Sequence, residues 1–125
     1  MYNSIRAIVC GGRSFANQQA IYEALDFIHS LTPISTLIHG AASGADTISG
    51  QWAADRGVNC IPVPAKWERD GRSAGPIRNQ KMLKMGADVV IAFPGGRGTD
   101  DMIRRARMAG VHVTSVTPSN PDEVA

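Results

Sequence analysis

VVIAFPGGRGTDD, Val89 to Asp101, is the stretch on which the fold turns. Val89, Val90, Ile91, Ala92 and Phe93 run without polar alternation. That is the pattern of a parallel strand covered on both faces, not of a strand with one wet face. Pro94, Gly95 and Gly96 then stop it. A tight turn needs one glycine or two; Gly95, Gly96 and Gly98 beside Thr99 predict that something comes close to the backbone. GTDDMIRRARMAG predicts a helix, with Met102, Ile103, Ala106 and Ala109 turned inward and Gly110 closing it. Buried strand, glycine turn and helix together make one unit of an α/β sheet.

The same unit recurs outward from that stretch. IRAIVC, Ile5 to Cys10, is a short apolar strand closed by Gly11 and Gly12. In NQQAIYEALDFIHS, Ile21, Leu25 and Ile28 share a helical face and Asn17 suits the N-cap. STLIHG, Ser35 to Gly40, is a second strand. GADTISGQWAADRG is a helix with Ala45, Ile48, Trp52 and Ala53 on one stripe, and Gly57 suits its C-terminal stop. NCIPV is a third, shorter strand. PAKWERDGRSAG has no strong period and reads as a long connection, a place where function often lies. GPIRNQKMLKMG is a helix with Pro76 at its first position, and VHVTSV is the last strand. The alternation predicts an α/β fold: about five parallel strands in the order 3-2-1-4-5, with helices on both faces. One domain over residues 1–117 is expected, with 118–125 as a polar flexible tail.

Composition narrows the function classes. The chain has 125 residues, 43% of them hydrophobic, and a net charge of +2, too small by itself to imply nucleic acid. No apolar run has the length of a membrane span, and the N-terminus has no signal-peptide pattern, so a cytoplasmic protein without a membrane partner is expected. Cys10 and Cys60 are isolated and read as reduced core thiols. His29, His39 and His112 have no ligand spacing, so neither metal nor cofactor is expected.

In open parallel sheets, ligands sit at the carboxyl ends of the strands. Four segments meet that rim. The first is Gly11, Gly12, Arg13 and Ser14. The second holds Gly40, Ala41, Gly44 and Asp46. The third opens a helix with Gly75, Arg78 and Asn79. The fourth is Pro94, Gly95, Gly96, Gly98 and Thr99. Glycines let the backbone approach an anion, and free N–H groups at the next helix start would face it. Arg13 reads either as a phosphate contact or as a solvent-facing turn residue, and Asp46 either as a ribose or arginine partner or as a helix cap. Trp67 reads either as a stacking platform or as a loop anchor, and Asn79 either as a ligand contact or as a partner of the loop backbone.

GGRSF, IHGAASGAD, WAADRG, AGPIRNQKML and VVIAFPGGRGTDDM, in this order over Ile5 to Val116, resemble the YspA-type branch of the SLOG superfamily. That superfamily also holds the lysine-decarboxylase-like LOG proteins and the DNA-processing Smf proteins. The resemblance implies a Rossmann-like domain that binds nucleotides or nucleotide-derived, ADP-ribose-like ligands, as a sensor, carrier or sequestering protein. The LOG enzymes imply an alternative, a hydrolase that cleaves the N-glycosidic bond of nucleoside monophosphates. Their PGGxGTxEE motif is similar to PGGRGTDD, with Asp101 at the place of the catalytic glutamate, and their helix arginine is similar to Arg78. Aspartate is one methylene shorter, which leaves its carboxylate short by more than about 1 Å. The first turn of each helix is the expected place of Arg78 and Asp101. LOG-like relatives imply a homodimer. The Smf branch implies a DNA-associated module, against which the low net charge weighs, with no basic stripe carrying aromatics.

Overall fold

The computed structural model describes residues 3–118. The expected tail lies, from residue 119 on, outside the described residues. The elements run β1 (Ile5–Cys10), α1 (Gln18–Leu31), β2 (Ile34–His39), α2 (Ala45–Arg56), β3 (Asn59–Pro62), α3 (Trp67–Asp70), α4 (Ala74–Lys84), β4 (Val89–Ala92), α5 (Arg97–Met108) and β5 (His112–Ser115). The strands form one sheet in the order β3-β2-β1-β4-β5, and every neighbouring pair is parallel. This is the expected Rossmann-like α/β architecture.

The two faces of β1 separate the layers. Ala7 and Val9 pack with Leu37 and Ile91 under Ile21 and Leu25 of α1 and Trp52 and Ala53 of α2. Ile8 and Cys10 point the other way, packing with Ile38, Val90 and Ala92 under Met82 of α4 and Met102 and Ala106 of α5. A strand buried on both faces has no polar alternation, which is why β4 and the Ala7–Cys10 part of β1 read as continuous apolar runs. Each fully buried aliphatic side chain contributes about 1.5–3 kcal/mol by leaving water.

Helix boundaries follow local chemistry. Asn17 caps α1, its Oδ1 accepting from the Ala20 N–H at 3.1 Å. Gly57 ends α2 in the left-handed conformation, φ 68°. Three expectations need correction. The connection before α4 is not irregular: α3 and a 3-10 turn, Gly71–Ser73, fill most of it, both too short to show a period. Helix α4 starts at Ala74, so Pro76 is its third residue; the N–H it lacks is still among those without an intrahelical partner. Helix α5 ends at Met108, which leaves Ala109 exposed. No helix of the described residues is long and apolar enough to cross a membrane.

Between α1 and α2, Asp26 accepts from Trp52 Nε1 at 2.8 Å and from Arg56 Nε and Nη2 at 2.8 and 2.9 Å. The bonds from Arg56, then Trp52, lower the Asp26 pKa from 3.8 to about 2. A lowered carboxylate pKa stabilises the fold above the unfolded value, and that contribution is lost as pH falls through the folded one. The site is exposed, so solvent screening keeps the effect small. Asp26→Asn should therefore be less stable than the parent above about pH 4 and should converge with it near about pH 2. Urea midpoints of both chains across that range check this; a constant difference would show that charge on Asp26 contributes nothing.

Candidate functional site

A cleft of about 900 Å³ opens at the carboxyl ends of the central strands. It lies where β1 and β4 are neighbours but feed helices on opposite faces, the switch point at which such sheets bind ligands.

Two glycine turns form its floor. The β1–β4 ladder continues past the strands: Phe93 N–H donates to Cys10 O at 2.9 Å, and Gly12 N–H to Pro94 O at 2.8 Å. The turns therefore touch. A Cβ at Gly11 would lie 2.6 Å from Ala45 Cβ; one at Gly12 would lie 3.1 Å from Gly95 Cα; one at Gly95 would lie 2.7 Å from the Gly12 nitrogen and overlap the Thr99 hydroxyl. These three glycines answer to chain packing against chain. Gly96 and Gly98 differ, since a Cβ at either meets nothing within 4 Å. Their openness leaves the start of α5 accessible. Gly96 is the N-cap and has no side chain to satisfy the N–H groups that follow. The first intrahelical bond runs from Asp100 N–H to Gly96 O, 3.0 Å, so the Arg97, Gly98 and Thr99 N–H groups precede the helix ladder. The helix dipole adds positive potential there.

A chain of side-chain hydrogen bonds crosses the cleft from β2 to α5. Arg78 donates through Nη1 to Gly40 O and through Nε to Asn79 Oδ1, the latter at 3.0 Å. A side chain at Gly40 would overlap that guanidinium, so the glycine is there for Arg78. Asn79, 3% exposed, donates through Nδ2 to Gly98 O at 3.2 Å and to Asp101 Oδ2 at 3.0 Å. Asp101 also accepts from Arg104 and Arg105, both at 2.9 Å. Burial alone would raise the Asp101 pKa, but the Asn79 and Arg105 bonds and the charges of Arg105 and Arg104 outweigh it and hold the carboxyl below its ordinary value. Arg78 and Asp101 are each the fifth residue of their helix, so both belong to the second turn; the helices begin earlier than expected.

Asp46 is buried beneath the β2–α2 loop. It does not cap α2; Gly44 does, and Asp46 reaches back to accept from the Ala42 N–H at 3.2 Å. Burial raises its pKa, opposed by that hydrogen bond and by the Arg78 charge. His39 Nδ1 accepts from the Ala41 N–H at 2.9 Å, which places the ring proton on Nε2. Burial, then the Arg78 charge, lowers the His39 pKa. Burial pushes the Cys10 thiol up to about 12, so it is no nucleophile.

The cleft collects all the residues singled out from sequence except Ala41 and Gly44. Those two hold the loop instead. Ala41 sits at φ 60°, and a Cβ at Gly44, φ 75°, would press on the carbonyl oxygens of Gly12 and Arg13. Sequence reasoning placed Phe15 at the end of the first strand without giving it a role, and missed Arg72 and Arg97. Arg97 stands inside the glycine turn itself, a signal that could have been read. Phe15 stacks on Phe93 with ring centroids 5.9 Å apart, a pairing visible only in three dimensions. Arg13, Arg72, Arg78 and Arg97 line the cleft, against the carboxylates of Asp46 and Asp101. Among the described residues, none of the four arginines forms an ion pair. Arg13 is near enough to Arg78 to disfavour its charge, a repulsion that an anion between them would reverse.

Asn79 is the central link of the hydrogen-bond chain. Asn79→Leu keeps the branched shape and removes all three bonds, leaving Arg78 Nε, Gly98 O and Asp101 each short of a partner. The cost should be about 1–3 kcal/mol of unfolding free energy, read from urea denaturation. A loss below about 0.5 kcal/mol would show that the chain of bonds carries no stability.

Comparison with known proteins agrees with this arrangement. The Gene 61 protein of Mycobacterium phage D29 is 38% identical, over 86% of this chain and 93% of that protein. No solved structure matches the chain. The sequence pattern of the YspA, cpYpsA-related SLOG family matches residues 5–69, which hold the first glycine turn, the β2–α2 loop with Asp46, and Trp67. With its parallel sheet and its rim of glycine turns, the chain belongs to the YspA, cpYpsA-related SLOG family.

Proposed function

We propose that the chain binds a phosphate-bearing nucleotide or nucleotide-derived ligand, of the ADP-ribose kind, in the cleft at the β1–β4 switch point. The observation that carries this reading is the contrast within one turn. Gly95 is packed, whereas Gly96 and Gly98 face open space at the start of a 12-residue helix without a side-chain cap. Backbone N–H groups and the dipole then serve a phosphate, and the arginines lining the cleft add charge-assisted contacts. Family membership supports a nucleotide-related ligand.

Binding fits the site better than turnover does. A carboxylate that attacks or activates water at a sugar needs a free oxygen in the cleft. Three of the roughly four acceptor positions on the Asp101 carboxylate are already taken, by Asn79, Arg104 and Arg105, and two of those partners are cations. The residue acts as a brace between α4 and α5, and a sensor or sequestering role follows.

Two measurements test this. Gly96→Val should fold as the parent does, by circular dichroism, and lose calorimetric binding of AMP and ADP-ribose, because two methyl groups then block the backbone. Equal affinity in the folded variant would make the turn purely structural. The parent chain should release no free base from a panel of nucleoside monophosphates. Base release that disappears in Asp101→Asn would establish the glycosidase instead.

A further inference from the structure

Trp67 opens α3 and is 48% exposed, unlike Trp52, which is fully buried. Its ring lines the cleft, and one edge rests near Gly75 of α4, where a Cβ would lie 3.5 Å from Cη2. The ring is covered by a charge: the Arg13 guanidinium carbon lies 5.5 Å from its centroid. Arg13 comes from the β1–α1 turn, so two loops from different strands meet over the cleft at this pair.

We infer that Trp67 is the platform for a planar aromatic base, and that Arg13 occupies the base position in the ligand-free chain. This rests on the nucleotide reading above and adds which part of the ligand is recognised where. An indole half in water at a cleft wall leaves a large apolar face to bury, and every nucleobase has a matching π-face. The geometry also decides what Arg13 does. Two stacked contacts at about 3.5 Å each need about 7 Å between the outer layers, so no base fits beneath Arg13 as it stands. Arg13 has to leave the ring when the base arrives. An exposed cation–π contact is weak enough to be displaced, and the freed guanidinium then serves the ligand phosphate. One residue thus shields the platform before binding and contacts the anion after it.

AMP and ribose 5-phosphate differ only in the base, and they separate this inference from the phosphate reading. The parent chain should bind AMP at least roughly tenfold more tightly than ribose 5-phosphate by calorimetry. Trp67→Ala should erase that margin by weakening AMP alone, and Trp67→Phe should restore most of it. With only two tryptophans in the chain, AMP should quench the exposed Trp67 emission and leave buried Trp52 emitting, whereas ribose 5-phosphate should quench neither. If Trp67→Ala weakens both probes equally, or neither, the platform is wrong and the phosphate site stands. If the parent chain binds neither probe, the phosphate reading fails and the platform with it.

Discussion

The hydrogen bond from Gly12 N–H to Pro94 O, 2.8 Å, is the constraint on which the site depends. It extends the β1–β4 pairing one step beyond the strands, into two turns that leave the sheet in opposite directions. The turns can lie this close only because Gly11, Gly12 and Gly95 have no side chains. Their contact fixes where α5 begins. It thereby fixes the direction of the unpaired N–H groups after Gly96. Had the turns been apart, the helix start would be free to tilt, and an anion site built on it would lose its geometry.

The second organising element is polar. Arg78 is half-buried, and a buried charge is costly unless it is well partnered. Gly40 O and Asn79 Oδ1 supply two acceptors, and the Asp46 charge favours the guanidinium. Asn79 passes the connection to Asp101, which pairs with Arg104 and Arg105. The consequence is a division of charge. Asp101 is occupied by cations of its own helix, so its negative potential is cancelled locally. Arg13, Arg72 and Arg97 retain theirs on the cleft wall, which leaves the cleft attractive to anions.

Much of this architecture is legible in the amino-acid sequence. The apolar runs Ala7–Cys10 and Val89–Phe93, each closed by glycines within a few residues, read as strands buried on both faces, and the helices between them point to a parallel sheet. The order of the strands follows from the glycine turns, because only adjacent β1 and β4 put both at one crevice. What the sequence hides is which glycine serves what. Gly95 and Gly96 are neighbours of the same type, yet one abuts the opposing turn and the other faces open space. Local sequence holds no record of a contact with a turn that is far away along the chain. The same holds for Gly40, whose missing side chain makes room for Arg78. The start of α4 is equally hard to read, because Pro76 suits any of the first positions, and Ala74 and Gly75 carry no signal of their own.

Asp101 shows how side-chain length sets a partner. One methylene shorter than a glutamate, it keeps its carboxylate near its own backbone. At that distance its neighbours are not a sugar but Arg104 and Arg105, three and four residues along the same helix, and Asn79 across from it. Those positions are adjacent on a helix surface by geometry alone, so the pairing needs no tertiary help. With Asp101 held this way its side chain is 14% exposed and its charge is compensated. The glycine turn beside it keeps the features that suit a phosphate: open positions at Gly96 and Gly98, and a helix start without a side-chain cap. An anion site and an acid–base group would therefore draw on separate parts of this architecture, the first on backbone N–H groups and the second on a carboxylate of the right reach.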